Sequence, residues 1–176
     1  GPLMAASDRF NIVVKGRQTH GSRPWGGVDP IVAAAEIVTS AQSIVSRRQN
    51  LTKQPVVVSF GAIKGGIRYN IIPDSVELIG TIRTFDNDMR AQVFKDLANV
   101  AEHVAAAHGA TAISKIPDTA GNPVMVNNPA LTARFARWSR HGARTRSGLR
   151  LGWPSFAMTC SRRRWRCAPR SGARWR

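Results

Sequence analysis

His20 stands in a glycine-rich stretch, Gly16-Arg17-Gln18-Thr19-His20-Gly21-Ser22-Arg23-Pro24-Trp25-Gly26-Gly27-Val28-Asp29-Pro30. Small neighbours let a ligand approach the backbone, and an imidazole there can donate to a developing oxyanion or accept a proton. A solvated loop histidine satisfies the same pattern, and spacing alone favours that plainer role. Arg83 belongs to an alternating segment and can hold a carboxylate bidentately, or stand as a solvated strand arginine. Asn70, ahead of Ile71-Ile72-Pro73, is either a turn residue or a ligand-binding amide. His103 and His108 lie five apart, a poor spacing for a metal pair on one helix face, and suit the last turn of a helix instead. Cys160 and Cys167 have no nearby His or acid and match no zinc pattern. HExxH, nucleophile-elbow and P-loop motifs are absent, as is any His/Asp/Glu cluster for a catalytic metal.

These residues need elements to position them. Arg9 to Lys15 alternates, with Phe10, Ile12 and Val14 on one side, and reads as a half-buried strand. Asp29-Pro30 opens a helix, Asp as cap and Pro at the first position, running to about Arg48 with Ile31, Ala34, Ala35, Val38, Ala41 and Val45 recurring. Pro55 to Lys64 reads as a second strand, broken by Gly65-Gly66, and about Ser75 to Phe85 as a third. Asp86 to Asp88 caps a second helix in which Met89, Val93, Leu97, Val100 and Val104 recur, and Gly109 stops it. Ala110 to Ile116 alternates as a fourth strand.

The order β-α-β-β-α-β predicts an α+β fold, a ferredoxin-like sandwich. A four-stranded antiparallel sheet carries both helices on one face and leaves Thr81 and Arg83 on the other. The second strand lies at an edge, and Val56, Val57, Val58 and Phe60 make that edge apolar enough to need a cover. A second copy pairing edge to edge is the economical one. Gly1-Pro2-Leu3 reads as a protease-cleavage remnant, so residues 1–7 are set aside as scar and linker. The folded unit is expected over 8–117 and a linker over 118–132, with a helical pattern that starts at Asn128-Pro129 and fails after Phe135.

The chain carries 26 Lys+Arg against 10 Asp+Glu, a net charge of +16. Residues 1–132 hold 13 Lys+Arg and all 10 acids; residues 133–176 hold 13 Arg and no acid. The excess therefore belongs to an irregular basic C-terminal tail. Its Arg, Trp138, Trp153, Trp165 and Trp175 would suit an RNA-binding arm. GC-rich DNA read out of frame has the same composition, and the abrupt change after a coherent domain favours that origin. No apolar run approaches the roughly 18 residues of a membrane span, and no signal peptide opens the chain; this favours a soluble, cytoplasmic protein and leaves the compartment unknown.

Three stretches together carry a resemblance: His20 with its glycines through Asp29-Pro30; Gly65-Gly66 leading to Asn70-Ile71-Ile72-Pro73; and Gly80-Thr81-Ile82-Arg83-Thr84-Phe85. They resemble the lid domain of M20-family metallopeptidases, in the amidohydrolase branch of aminoacylases and hippurate hydrolases, over about Asp8 to Leu131. The resemblance implies a parent enzyme whose larger domain holds two divalent metals, zinc or manganese, and hydrolyses amide bonds of N-acyl amino acids or small peptides. It implies that this chain is the lid and dimerisation domain, forming a homodimer through the second-strand edge and adjacent helix. His20 would polarise the scissile carbonyl in the partner subunit, Arg83 would bind the substrate carboxylate, and Asn70 would line the same pocket. The family's metal ligands have no counterpart here, so the chain itself is expected to need no cofactor, to lack the catalytic domain and to be inactive alone. The alternative is a basic nucleic-acid-binding module on an RRM-type sheet with an Arg/Trp arm. Its expected aromatic platform is missing from the open face, and neither specific nucleic acid nor membrane is expected as a partner.

Overall fold

A computed structural model describes residues 2–145 of the chain. In order, β1 (Pro2–Met4), β2 (Ala6–Lys15) and β3 (Thr19–His20) lead to α1 (Pro30–Ser43), which closes with a π-helical turn at Ile44–Arg48. Then come β4 (Val56–Gly65), β5 (Ile71–Ile72), β6 (Ser75–Thr84), α2 (Asn87–Ala107), β7 (Thr111–Lys115), β8 (Met125–Val126) and α3 (Pro129–Thr145). The main sheet is antiparallel in the order β4-β6-β2-β7, with β4 at one edge. With α1 and α2 packed on one face, it forms the ferredoxin-like α+β sandwich that the alternation implied.

The core follows from period two in the strands and 3.6 in the helices. Phe10, Ile12, Val14, Val76, Leu78 and Ile82 face the helices and are buried, meeting Ile37, Ile44, Val93 and Leu97. Each large apolar side chain so buried contributes about 1.5–3 kcal/mol. The Phe10 ring meets Phe60 edge-on, centroids 5.1 Å apart. Gly80 makes that possible, because a Cβ there would overlap the Phe10 ring and the Ser59 carbonyl.

Both helix starts are capped as their sequences imply. The Asp29 carboxylate accepts from the backbone N–H groups of Ile31 (2.8 Å) and Val32 (3.3 Å). Asp86 accepts from Asp88 (3.0 Å) and Met89 (2.9 Å). Gly109, at φ +69°, ends α2 in the left-handed conformation that favours glycine.

Three features differ from expectation. The buried stripe of α1 is Pro30, Ala33, Ala34, Ile37 and Ala41, whereas Ile31 and Val32 are about half exposed. Pro30 to Ala35 is apolar throughout, so composition does not single out one face. Next, residues 118–126 lie along the start of the chain. Ser7 and Asn122 exchange two backbone hydrogen bonds of 3.0 Å, the Asp118 N–H donates to the Arg9 carbonyl, and β8 pairs with β1. Finally, α3 continues past Phe135 to Thr145; Asn128 caps it by accepting from Ala130 and Leu131.

By contacts the chain divides into residues 1–134 and 135–176. In the second unit the Phe135 and Trp138 rings lie 5.9 Å apart. Most of the basic tail, with Cys160, Cys167, Trp153, Trp165 and Trp175, lies outside the described residues.

Candidate functional site

His20 and Asn70 are fifty positions apart, yet the chain holds their loops together. Gly16 leaves β2 with its N–H donating to the Asp74 carbonyl (2.8 Å), just before β6 begins. Beyond that point β3 and β5 pair antiparallel, His20 opposite Ile71 and Thr19 opposite Ile72. The Gly21 N–H donates to the Asn70 carbonyl at 2.8 Å. A side chain at Gly21 would press on the Asn70 backbone, and one at Gly27 would overlap Thr19, so these two glycines set how tightly the loops close. The two loops also carry Trp25, Ile67 and Tyr69 almost wholly in solvent.

The His20 ring is exposed and oriented locally. The Ser22 backbone N–H donates to Nδ1 (3.2 Å), with the Ser22 hydroxyl 2.8 Å from the same atom. An Nδ1 that accepts an N–H leaves the proton of the neutral ring on Nε2, so the free edge of His20 is a donor. That is the tautomer suited to polarising a carbonyl oxygen.

Arg83 sits at the other end of the sheet. Lys15 pairs with Ser75 at the His20 end, and Ser7 pairs with Arg83 at the far end. Eight residues of β6 separate them, roughly 26 Å at 3.3 Å per residue. Arg83 lies on the sheet face away from the helices, at the rim of a depression of about 500 Å³. Ser59, Gly61, Ala62 and Thr81 form part of its floor, and the Thr119 to Asn122 loop forms a wall. The Arg83 Nη1 donates to the Thr81 hydroxyl and to the Ile82 carbonyl (3.2 Å). Within one chain, then, the structure brings His20 to Asn70 but keeps Arg83 apart from both.

Two features of this region escaped the sequence. One is the hydroxyl of Thr81 under Arg83, visible beforehand only as a shared strand face. The other is a buried ion pair behind the sheet: Asp8, whose side chain is fully buried, receives Arg90 Nε at 2.8 Å and Nη2 at 2.5 Å. Its hydrogen bond to Asp8 raises the Arg90 pKa above the ordinary guanidinium value.

His103 turns its Nδ1 to the Asn99 carbonyl (2.8 Å) along α2, as a histidine serving its own helix does. Among the described residues no three His, Cys, Asp or Glu side chains gather as a metal site. The described residues therefore do not fit a two-metal centre. Nor does the open sheet face match an RNA platform: Asn11, Val13, Lys15, Glu77, Ile79, Thr81 and Arg83 include no aromatic ring to stack on.

Fold and site define a class, the ferredoxin-like sandwich with the His20 and Asn70 loops joined by the β3–β5 pair at one end. A sequence model of the peptidase dimerisation domain, M20_dimer, matches residues 6–109, and the chain belongs to that family. N-acetyl-L-cysteine deacetylase of Bacillus subtilis is 38% identical over 144 residues, covering 82% of this chain and 34% of the relative. N-acyl-L-amino acid amidohydrolase of Geobacillus stearothermophilus is 39% identical over 111 residues, 63% of this chain and 30% of the relative. Among solved structures, a dinuclear metal-binding M20 peptidase of B. subtilis superposes with a TM-score of 0.60 at 35% identity, over 81% of this chain and 33% of that one. An aminohydrolase from methicillin-resistant Staphylococcus aureus gives 0.73 at 28% identity, over 80% and 37%. The chain thus spans about a third of the length of the relatives it matches.

Proposed function

We propose that residues 8–117 act as the lid and dimerisation unit of a metal-dependent amidohydrolase that cleaves N-acyl amino acids or small peptides. On this reading two divalent metals, zinc or manganese, belong to the portion of such enzymes that this chain does not match. The chain alone is inactive, and its own contribution is substrate contact. His20 donates through Nε2 to the scissile carbonyl, Asn70 lines the same pocket, and Arg83 holds the substrate carboxylate. On this reading the basic tail of residues 133–176 contributes nothing to that site.

The observation that carries the proposal is the separation of His20 from Arg83. One small substrate cannot bridge roughly 26 Å of strand. A two-fold dimer through the β4 edge removes the difficulty. Antiparallel pairing of β4 with its copy turns the partner's sheet end for end, so the partner's β3–β5 pair lies at the end where Arg83 stands. Three strand spacings, about 14 Å, then separate the two β6 strands. The edge suits such pairing: Val57 is half exposed, and Ile31 and Val32 of α1 add apolar surface. This argument favours a homodimer through β4 and α1, with each site completed by His20 of the other copy.

The test is a chimera in which residues 6–126 replace the matching segment of the B. subtilis N-acetyl-L-cysteine deacetylase. His20→Ala should lower kcat about 100- to 1,000-fold, the range for removing one oxyanion-type donor. An unchanged kcat would overturn the assignment.

A further inference from the structure

Arg83 has five N–H donors in a rigid fork, and which of them face outward decides what it can hold. Its Nη1 is committed on both sides, to the Thr81 hydroxyl and to the Ile82 carbonyl. The Thr81 hydroxyl in turn donates to the Asp8 carbonyl of β2 at 3.1 Å. Asp8 is itself fixed by its two hydrogen bonds from Arg90. Asp8 is thus held at two points, its carboxylate by Arg90 and its backbone carbonyl by the Thr81 hydroxyl that takes the Arg83 guanidinium. Among the described residues no carboxylate lies within ion-pair distance of Arg83. What remains free is the edge formed by Nε–H and the Nη2 hydrogens, the side-on fork that matches a carboxylate.

We infer that Thr81 is a positioning residue, which turns the Nε/Nη2 edge of Arg83 toward the depression on the open sheet face for a substrate carboxylate. The inference rests on the reading that Arg83 is the carboxylate binder, and adds what orients it. A long, unrestrained arginine loses side-chain entropy on binding, whereas one already held by its terminal Nη1 loses less. The residue type follows from the geometry. The hydroxyl must accept from Arg83 and donate to Asp8 at once, as Ser also does and Val does not.

The experiment uses the full chain, with ¹⁵N NMR of the arginine Nε–H groups and Arg83→Lys to assign the Arg83 signal. In the unmodified chain and in Thr81→Ser the Arg83 Nε–H should be ordered and resolved. In Thr81→Val it should collapse toward the averaged signal of a free arginine, while backbone amide spectra show the fold retained. Titration with N-acetylglycine should shift the Arg83 signal, with affinity about tenfold weaker in Thr81→Val, the scale of one lost hydrogen bond to a charged group. An Arg83 signal equally ordered in Thr81→Val, or disordered in the unmodified chain, overturns the positioning role. If ordering depends on Thr81 but N-acetylglycine never shifts Arg83, positioning stands and the carboxylate-binding reading falls.

Discussion

The two halves of the Asp8–Arg90 pair should not cost the same when removed. Asp8 is fully buried at its side chain, whereas Arg90 keeps 22% of its side chain exposed and lies over the Phe94 ring, 5.3 Å from the centroid. Arg90→Met therefore strands a carboxylate with no route to water, and removing one partner of a buried pair costs about 3–5 kcal/mol. Asp8→Asn keeps one acceptor for Arg90, and the guanidinium can turn part of itself to solvent. Its cost is that of one unsatisfied buried amide, about 1–3 kcal/mol. The double variant removes the stranded charge, so it should be markedly more stable than the sum of the single losses predicts. Urea unfolding of the four chains, analysed as a double-mutant cycle, measures each quantity. Equal losses for the two single variants, or strict additivity, would refute the reasoning.

Other outcomes follow from single sites. Gly80→Val should destabilise strongly and disturb the Phe10–Phe60 ring pair, since the space for its Cβ is already filled; thermal unfolding and aromatic NMR shifts check this. The Asp86 carboxylate is held below its ordinary pKa, chiefly by the hydrogen bond from Lys53 and then by the Met89 N–H. Its stabilising contribution is therefore present above the unfolded value near 3.9 and lost as pH falls through the lower folded value. Asp86→Asn should make the acid limb of a Tm-against-pH profile only slightly shallower, since an exposed ion pair contributes little. If β4 pairs with its copy as proposed, Val57→Lys, at an exposed edge position, should leave the fold intact and shift sedimentation from dimer to monomer.

The sheet and both main helices were legible because their patterns are long and regular. Phe10, Ile12 and Val14 alternate without a break, and Met89, Val93, Leu97 and Val100 keep helical spacing. Where the pattern saturates, as in the all-apolar start of α1, the buried face could not be told from the exposed one. Short pairings of distant segments were also hidden. The two-residue strands β3 and β5 leave no periodicity, although they join His20 to Asn70. Residues 118–126 look like a linker because their partners lie more than a hundred positions earlier. Asp8 and Arg90, 82 positions apart, each look like an ordinary surface charge until the fold buries them together. His20, Asn70 and Arg83 stood out by motif, but only the register of β2 and β6 shows that one chain keeps Arg83 away from the other two.

That separation is most directly tested by mixing two inactive variants of the chimeric enzyme, His20→Ala and Arg83→Ala. If each site takes His20 from one subunit and Arg83 from the other, a mixed dimer contains one intact site and one doubly altered site. With random exchange, half the dimers are mixed, and activity should return to about a quarter of the unmodified level. Recovery that fails to appear, once exchange of subunits has been verified, would contradict the cross-subunit account.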